Sequence, residues 1–410
     1  MSGERVNQAK CCLLLAFLIV LLNSVVALTT EATLQKYEVG FEITIKNEGD
    51  KPYPLENMKK VTLIPEDEYQ KLTSVQFKIN GEEVEWKLTG VDDEGNLEIE
   101  ILDVPESLQP NSQITFEIQL EIEISPRDPP PISVENAEDI YAIPQELVMK
   151  YCTMEGLWEK SENASQIAHE LVENETNVLK ILFKFIKWIE SNIKYPEGSA
   201  PKLPTYPDET IAAKEGDCDD QANLLVAMCR SVGIPAYTQL SFLYLVREEP
   251  VRKTLLEGHL TIEAINVAGH GWAVVYAPPW GWIPVDMTYF QGARMIEGRI
   301  ISTNVEDHIV GAAVFHITAV VTENVIKRDY IKDLKEWIDD LKEYNLKWSE
   351  KYYMQIKEVE RPKDGIIVAS AIGLVILTSA TFVVYFYVKK RRLESEEEIP
   401  ILTPTINKVN

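Results

Sequence analysis

Basic charge is scarce in this chain. Lysine and arginine number 40 against 65 aspartates and glutamates, a formal net charge of −25 over 410 residues. No cationic stripe is present to follow a phosphate backbone, which excludes a nucleic-acid partner. Cysteine is scarce too, five in all. Outside the first dozen residues only Cys152, Cys218 and Cys229 remain, an odd count that suits one free thiol and at most one bridge. The length suffices for two ordinary domains plus accessory segments.

Long apolar runs are confined to the two ends. Arg5 and Lys10 precede the run Cys11 to Leu22 and then Val25-Val26-Ala27, so residues 1–28 read as a signal peptide or an uncleaved signal anchor. Residues 366–388 carry no charge and are long enough to span a bilayer. Lys389-Lys390-Arg391-Arg392 follows at once, which places the tail, residues 389–410, in the cytoplasm. Either reading of the leader puts the body outside, so the expected location is the cell membrane with most of the chain extracytoplasmic.

Residues 31–135 read as strands. Tyr37, Val39, Phe41, Ile43 and Ile45 alternate with polar residues, as do Ile114 through Ile124. Val75, Phe77 and Ile79 run into Asn80-Gly81 and return as Val84, Trp86 and Leu88, a hairpin signal. One apolar face per strand predicts two sheets packed face to face, an all-β sandwich acting as a spacer. Pro126 and Pro129 to Pro131 then stiffen a linker.

From Ala142 to Tyr195 the pattern turns helical, with Ile167, Leu171, Leu182, Ile186, Ile189 and Ile193 on one stripe. A Pro-rich loop leads to Gly216-Asp217-Cys218-Asp219-Asp220. Beyond it Ala222, Leu225, Met228, Cys229 and Val232 recur at helical spacing, and Gly233 supplies the stop. Cys218 therefore begins a helix, where unpaired N–H groups favour a thiolate while the neighbouring aspartates oppose it. Downstream, Gly269 to Thr288 alternates, turns at Pro278-Pro279 and returns. A hairpin centred on Pro278 would pair Tyr276 with Trp280, Trp272 with Pro284 and His270 with Asp286. A histidine oriented by a carboxylate and facing a cysteine is a nucleophile-activating arrangement.

These two stretches, E-G-D-C-D-D-Q-A-N-L-L-V-A-M-C-R and H-G-W-A-V-V-Y-A-P-P-W-G-W-I-P-V-D-M-T, resemble the core of the transglutaminase-like superfamily, over about Ala142 to Thr288. The resemblance implies a papain-like α+β core with Cys218 as nucleophile, His270 as base and Asp286 as orienting carboxylate. The family's usual residue after the histidine is alanine, where this chain has Gly271. The motif names no side chain for an oxyanion hole.

Weaker candidates have plainer explanations. His169 lies on a helical surface, and His259, beside a strand at Leu260 to Ile265, lacks a carboxylate partner. Asp217, Asp219 and Asp220 could bind calcium, but capping a helix start is the simpler role. Tyr330, Leu334, Trp337, Leu341, Tyr344 and Trp348 recur at heptad-like spacing, which predicts a juxtamembrane helix over 325–362; the spacing fades at Lys351, which favours packing on the core or a stalk over self-association with another copy.

The expected architecture is thus α+β: a β-sandwich (31–135), a transglutaminase-like core (140–324), a long helix and a transmembrane helix. The expected function is acyl transfer on the amide bonds of a protein or peptide substrate, hydrolysis favoured over crosslinking, with no cofactor or metal. The alternative is an inactive surface adhesion or scaffold protein that keeps the fold.

Overall fold

The computed structural model describes residues 34–196 and 203–359. The leader, the apolar run at 366–388 and the tail lie outside the described residues. Among those described, no helix is long and apolar enough to cross a membrane.

The principal strands in chain order are β1 (Gln35–Asn47), β2 (Gln70–Ile79), β3 (Gln113–Ile124), β4 (Ala236–Tyr244), β5 (Val251–Leu255), β6 (Leu260–Ile265), β7 (Val267–Ala277), β8 (Gly281–Val285), β9 (Ala319–Val325) and β10 (Leu346–Val359). The principal helices are α1 (Glu162–Val172), α2 (Val178–Asn192), α3 (Cys218–Ser231), α4 (Asp307–Phe315) and α5 (Tyr330–Glu343).

Alternation in the first hundred residues does build sheets. The largest has seven strands in the order β5-β6-β10-β1-β3-β2 and then Glu82–Glu83. A three-stranded sheet of Lys60–Pro65, Asn96–Ile101 and Trp86–Val91 shares its core, which includes Tyr37, Val39, Leu63, Ile99 and Ile122. Asn80 and Gly81 both take positive φ, as the tight turn requires. The returning strand pairs for only two residues, Glu82–Glu83, before the chain crosses to the smaller sheet at Trp86.

Two expectations about boundaries are corrected here. The β region at 31–135 is not self-contained, because its large sheet recruits β5 and β6 from the middle of the chain and β10 from the end. The segment 325–362 is not one helix. Only Tyr330–Glu343 is helical, Asn345 turns with positive φ, and β10 then pairs antiparallel with β1 and parallel with β6. From Leu346 onward the residues also alternate, with Leu346, Trp348 and Met354 buried, and a strand inserted in a sheet satisfies more backbone than a free helix would. Of the heptad-like stripe, Leu341 and Trp348 are buried, and Trp337 and Tyr344 pack partly buried on the same core.

The second sheet, in the order β8-β7-β4-β9, carries the candidate site. Its inner face packs with α1, α2 and α3 around a core containing Ile181, Phe185, Leu225, Met228, Val275 and Val285. Helix α3 stops where the sequence places the stop: Gly233 has φ +82°, its N–H donates to Arg230 O, and Ile234 N donates to Cys229 O, both at 3.0 Å.

Candidate active site

Cys218 is the first residue of α3, and its surroundings are built to hold that tip in place. Gly216 permits the close approach, since a Cβ there would lie 2.7 Å from Asp220 Cβ and 2.8 Å from Thr210 Cγ2. Asp217 is the N-cap residue, and its own N–H donates to Asp220 Oδ2 at 3.2 Å. Asp220 Oδ1 accepts from Thr205 N (2.6 Å) and Thr205 Oγ1 (2.9 Å), tying the preceding loop to the helix. Asp219 Oδ2 accepts from the Tyr330 hydroxyl at 2.9 Å, so α5 braces the same tip.

His270 sits on β7 opposite Ser241 of β4. The hairpin register is two residues from the expected one: Tyr276 faces Trp282 and Val274 faces Pro284, because the loop is longer than a turn centred on Pro278 allows. A two-residue shift keeps every side chain on its face. Asp286 therefore lies just past the end of β8 and reaches His270 diagonally. The His270 Nε2–H donates to Asp286 Oδ2 at 2.7 Å, with Asp286 fully buried and His270 8% exposed.

The third group arrives from α3. The Gly271 N–H hydrogen-bonds the Cys218 sulfur, placing that sulfur against the peptide that follows His270. Nε2 is the ring nitrogen of His270 committed to Asp286. A methyl at position 271 would sit 3.0 Å from Asp219 Cβ and 3.2 Å from its Cα, so glycine in place of the usual alanine lets the helix tip approach closely. The structure thus brings Cys218, His270 and Asp286 to one place. His169 is exposed on α1, and His259 spends its Nδ1 on Leu346 O, 2.8 Å away in the large sheet.

Sequence reasoning missed the remaining members of the cluster. Besides His270, Asp286 Oδ2 accepts from His316 Nε2–H at 3.3 Å, and Oδ1 accepts from Thr288 N (2.9 Å) and Tyr289 N (2.8 Å). The His316 ring stacks on Trp272 at 4.0 Å between centroids, and Trp272 Nε1 donates to Gln239. His308 spans Asp286 O (2.7 Å) and Glu190 Oε1 (2.9 Å). Three of the chain's five histidines therefore converge on one aspartate. No motif spacing marks His308 or His316, which enter through α4 and the turn after it.

The electrostatics follow from burial and neighbours. Burial alone would raise the Asp286 carboxyl, but the His270 and His316 imidazoles outweigh it and hold it well below the usual range. Burial lowers His316 to about 4 against the pull of Asp286, so its ring is neutral. Burial pushes the Cys218 thiol well above its ordinary value, Asp219 and Asp217 add to this, and the Gly271 N–H opposes it. Burial and repulsion from Asp219 raise Asp217 to about 9 and Asp220 to about 6. The resting sulfur is a thiol whose proton points toward Asp219 Oδ1 at 4.0 Å.

Among the described residues, Asp217, Cys218 and Asp219 form the group with metal-ligand spacing, their ligand atoms within 4.8 Å of one another. Asp220, the third carboxylate of the calcium alternative, is engaged by Thr205 and the Asp217 N–H instead. Cys152 and Cys229 are both free thiols, so the single bridge allowed by the cysteine count is not formed.

Residues 165–287 match the transglutaminase-like superfamily. The chain contains a transglutaminase-like domain. Solved structures with a similar fold include a proposed cysteine protease from Cytophaga hutchinsonii, 12% identical with a TM-score of 0.46, covering 80% of this chain and 92% of that one. The periplasmic domain of TgpA from Pseudomonas aeruginosa is 14% identical with a TM-score of 0.28, covering 64% and 90%. Legionella pneumophila LapG is 18% identical with a TM-score of 0.24, covering 53% and 98%. No curated protein matches. Cys218, His270 and Asp286 all lie within the matched residues 165–287.

Proposed function

We propose that the protein is a membrane-anchored, externally facing cysteine enzyme that transfers acyl groups from amide bonds of a protein or peptide, with hydrolysis the favoured outcome. The observation that carries this reading is the buried His270–Asp286 hydrogen bond with the Cys218 sulfur held at the adjoining Gly271 N–H. Asp286 keeps the proton of His270 on Nε2, which leaves Nδ1 bare to accept the thiol proton. The sulfur attacks the amide carbonyl, the imidazolium returns its proton to the leaving amine, and a thioester remains. Water then releases the acid and frees the thiol. Among the described residues no acceptor-amine site is found, and on that ground we favour water over a second amine.

The anchoring part of the proposal rests on the sequence and on one feature of the body. Gln35 pairs with Val359, so the chain enters and leaves the folded body on neighbouring strands. In this reading the basic cluster after residue 388 orients the tail inward.

One observation favours the alternative, an inactive adhesion or scaffold module: the Cys218 thiol is held protonated by burial and two acidic neighbours. Thiol labelling separates the readings. With iodoacetamide at pH 7, the enzyme reading expects Cys218 to react at least tenfold faster than half-buried Cys152 or buried Cys229, and His270→Ala to abolish that advantage. Equal rates at Cys218 and Cys152 in the unmodified chain would reject it.

A further inference from the structure

Tyr195 stands beside the nucleophile without a part in the chemistry above. Its backbone is fixed from both sides. Lys194 N donates to Lys214 O (3.0 Å) and Lys194 O accepts from Gly216 N (2.9 Å), so residues 194–195 run alongside the segment that enters Cys218. Tyr195 N donates to Gly298 O at 2.7 Å, at the tip of the hairpin formed by Arg294–Ile296 and Arg299–Ile301. Pro196 follows and biases Tyr195 toward extended backbone. Successive side chains of extended backbone point opposite ways. Lys194 is exposed and Tyr195 half-buried, so the phenol turns toward the protein as the lysine turns to solvent. The charges that act on it through space are those of Cys218, Asp217, Asp219 and Asp286. Burial first, and then these neighbours, raise the phenol above its usual range, so it stays a neutral O–H donor.

We propose that Tyr195 is a catalytic residue, its hydroxyl donating to the oxyanion formed when Cys218 attacks an amide carbonyl. The assignment rests on the cysteine-enzyme reading. In the step, a C–S bond forms and the carbonyl π pair moves to oxygen. Tyr195 O–H donates to that oxygen without losing its proton. The Cys218 N–H lies in the first turn of the helix, where no intrahelical acceptor exists, and is free to be a second donor in this proposal. When the intermediate collapses, the pair returns to form C=O, the C–N bond breaks, and the amine leaves with the proton from His270. A phenol whose backbone is pinned on both sides, next to the segment that enters Cys218, is preorganised, which is what makes such a donor effective.

The test uses the full-length chain and two probes of Cys218. Iodoacetamide reacts by displacement at a saturated carbon and develops no oxyanion; p-nitrophenyl acetate acylates through one. Tyr195→Phe is expected to slow acylation by about 10²–10³-fold, while alkylation changes by less than about threefold. Tyr195→Gln, which restores a donor on another side chain, is expected to keep at least a tenth of the acylation rate. Unchanged acylation in Tyr195→Phe overturns the assignment, as does an equal loss of alkylation and acylation. Equal loss of acylation in both variants with intact melting transitions overturns it as well, because packing would then be the cause. If the unmodified chain acylates no faster than Cys218→Ala, the cysteine-enzyme reading itself fails and takes the tyrosine with it.

Discussion

Replacing Asp286 with asparagine changes one atom of the site's most connected group and leaves its shape intact. Oδ1 can still accept from Thr288 N and Tyr289 N, but an amide NH2 now faces two imidazole N–H groups, His270 at 2.7 Å and His316 at 3.3 Å. Donor meets donor. Contact survives only if His270 moves its proton to Nδ1, the nitrogen that must accept from the thiol. A hydrogen bond to a charged partner is worth about 1.5–3 kcal/mol. Removing it disfavours the thiolate–imidazolium pair by that amount, so Cys218 alkylation at pH 7 should fall about 10- to 150-fold. Turnover, which also needs the correct tautomer, should fall by as much as ~10⁴, the size of this effect in the serine triad. Loss of two bonds inside the protein should cost on the order of 2–4 kcal/mol and lower the melting temperature by roughly 10 °C. The sign with pH is fixed. The folded-state carboxyl is depressed, so its contribution is full above the ordinary value of 3.8 and is lost as pH falls below it. Asp286→Asn should flatten that acid limb. Mass-spectrometric labelling rates and thermal melts from pH 3 to 7 are the assays. An asparagine variant that melts normally and labels at the original rate would refute the tautomer argument.

A second prediction concerns the crowded helix tip. Asp217 is raised from 3.8 to about 9, so across that interval the folded state holds a proton the unfolded state has released. Stability should therefore decline as pH rises toward 9. His316, neutral in the fold with a value near 4, works oppositely below 6.5, so the decline should show most clearly above that point. Asp217→Asn should remove most of it, measured as melting temperature against pH; an undiminished slope would count against this account. A third prediction tests the end of the body. Lys351 pairs with Glu42 on one side and Glu263 on the other, so Lys351→Pro should cost about 3 kcal/mol or more by breaking an interior ladder. A solvent-exposed stalk would show no such loss of melting temperature in the body.

Much of the site was legible because its signals are local. Apolar spacing and Gly233 bounded α3, and so placed Cys218 on a helix tip, through interactions spanning a few residues. Strict alternation put His270 and Asp286 on one face, and that parity survived a two-residue error in register because strand periodicity is two. Asn80-Gly81 marked its turn for the same reason, a backbone demand met by particular residue types.

What the sequence left undecided involves partners far away along the chain. Trp348 falls both on the heptad-like spacing and on a strand alternation, and the pairing of β10 with β1 and β6 settles the matter. Gln70 reaches Val321 across 251 residues, and Tyr330 reaches Asp219 across 111. His308, His316 and Tyr195 carry no spacing that points to Cys218 or Asp286. Local periodicity determined the faces that each element would bury, whereas the pairing of those faces, and hence the neighbours of the reacting sulfur, was chosen by burial and backbone hydrogen bonding in three dimensions.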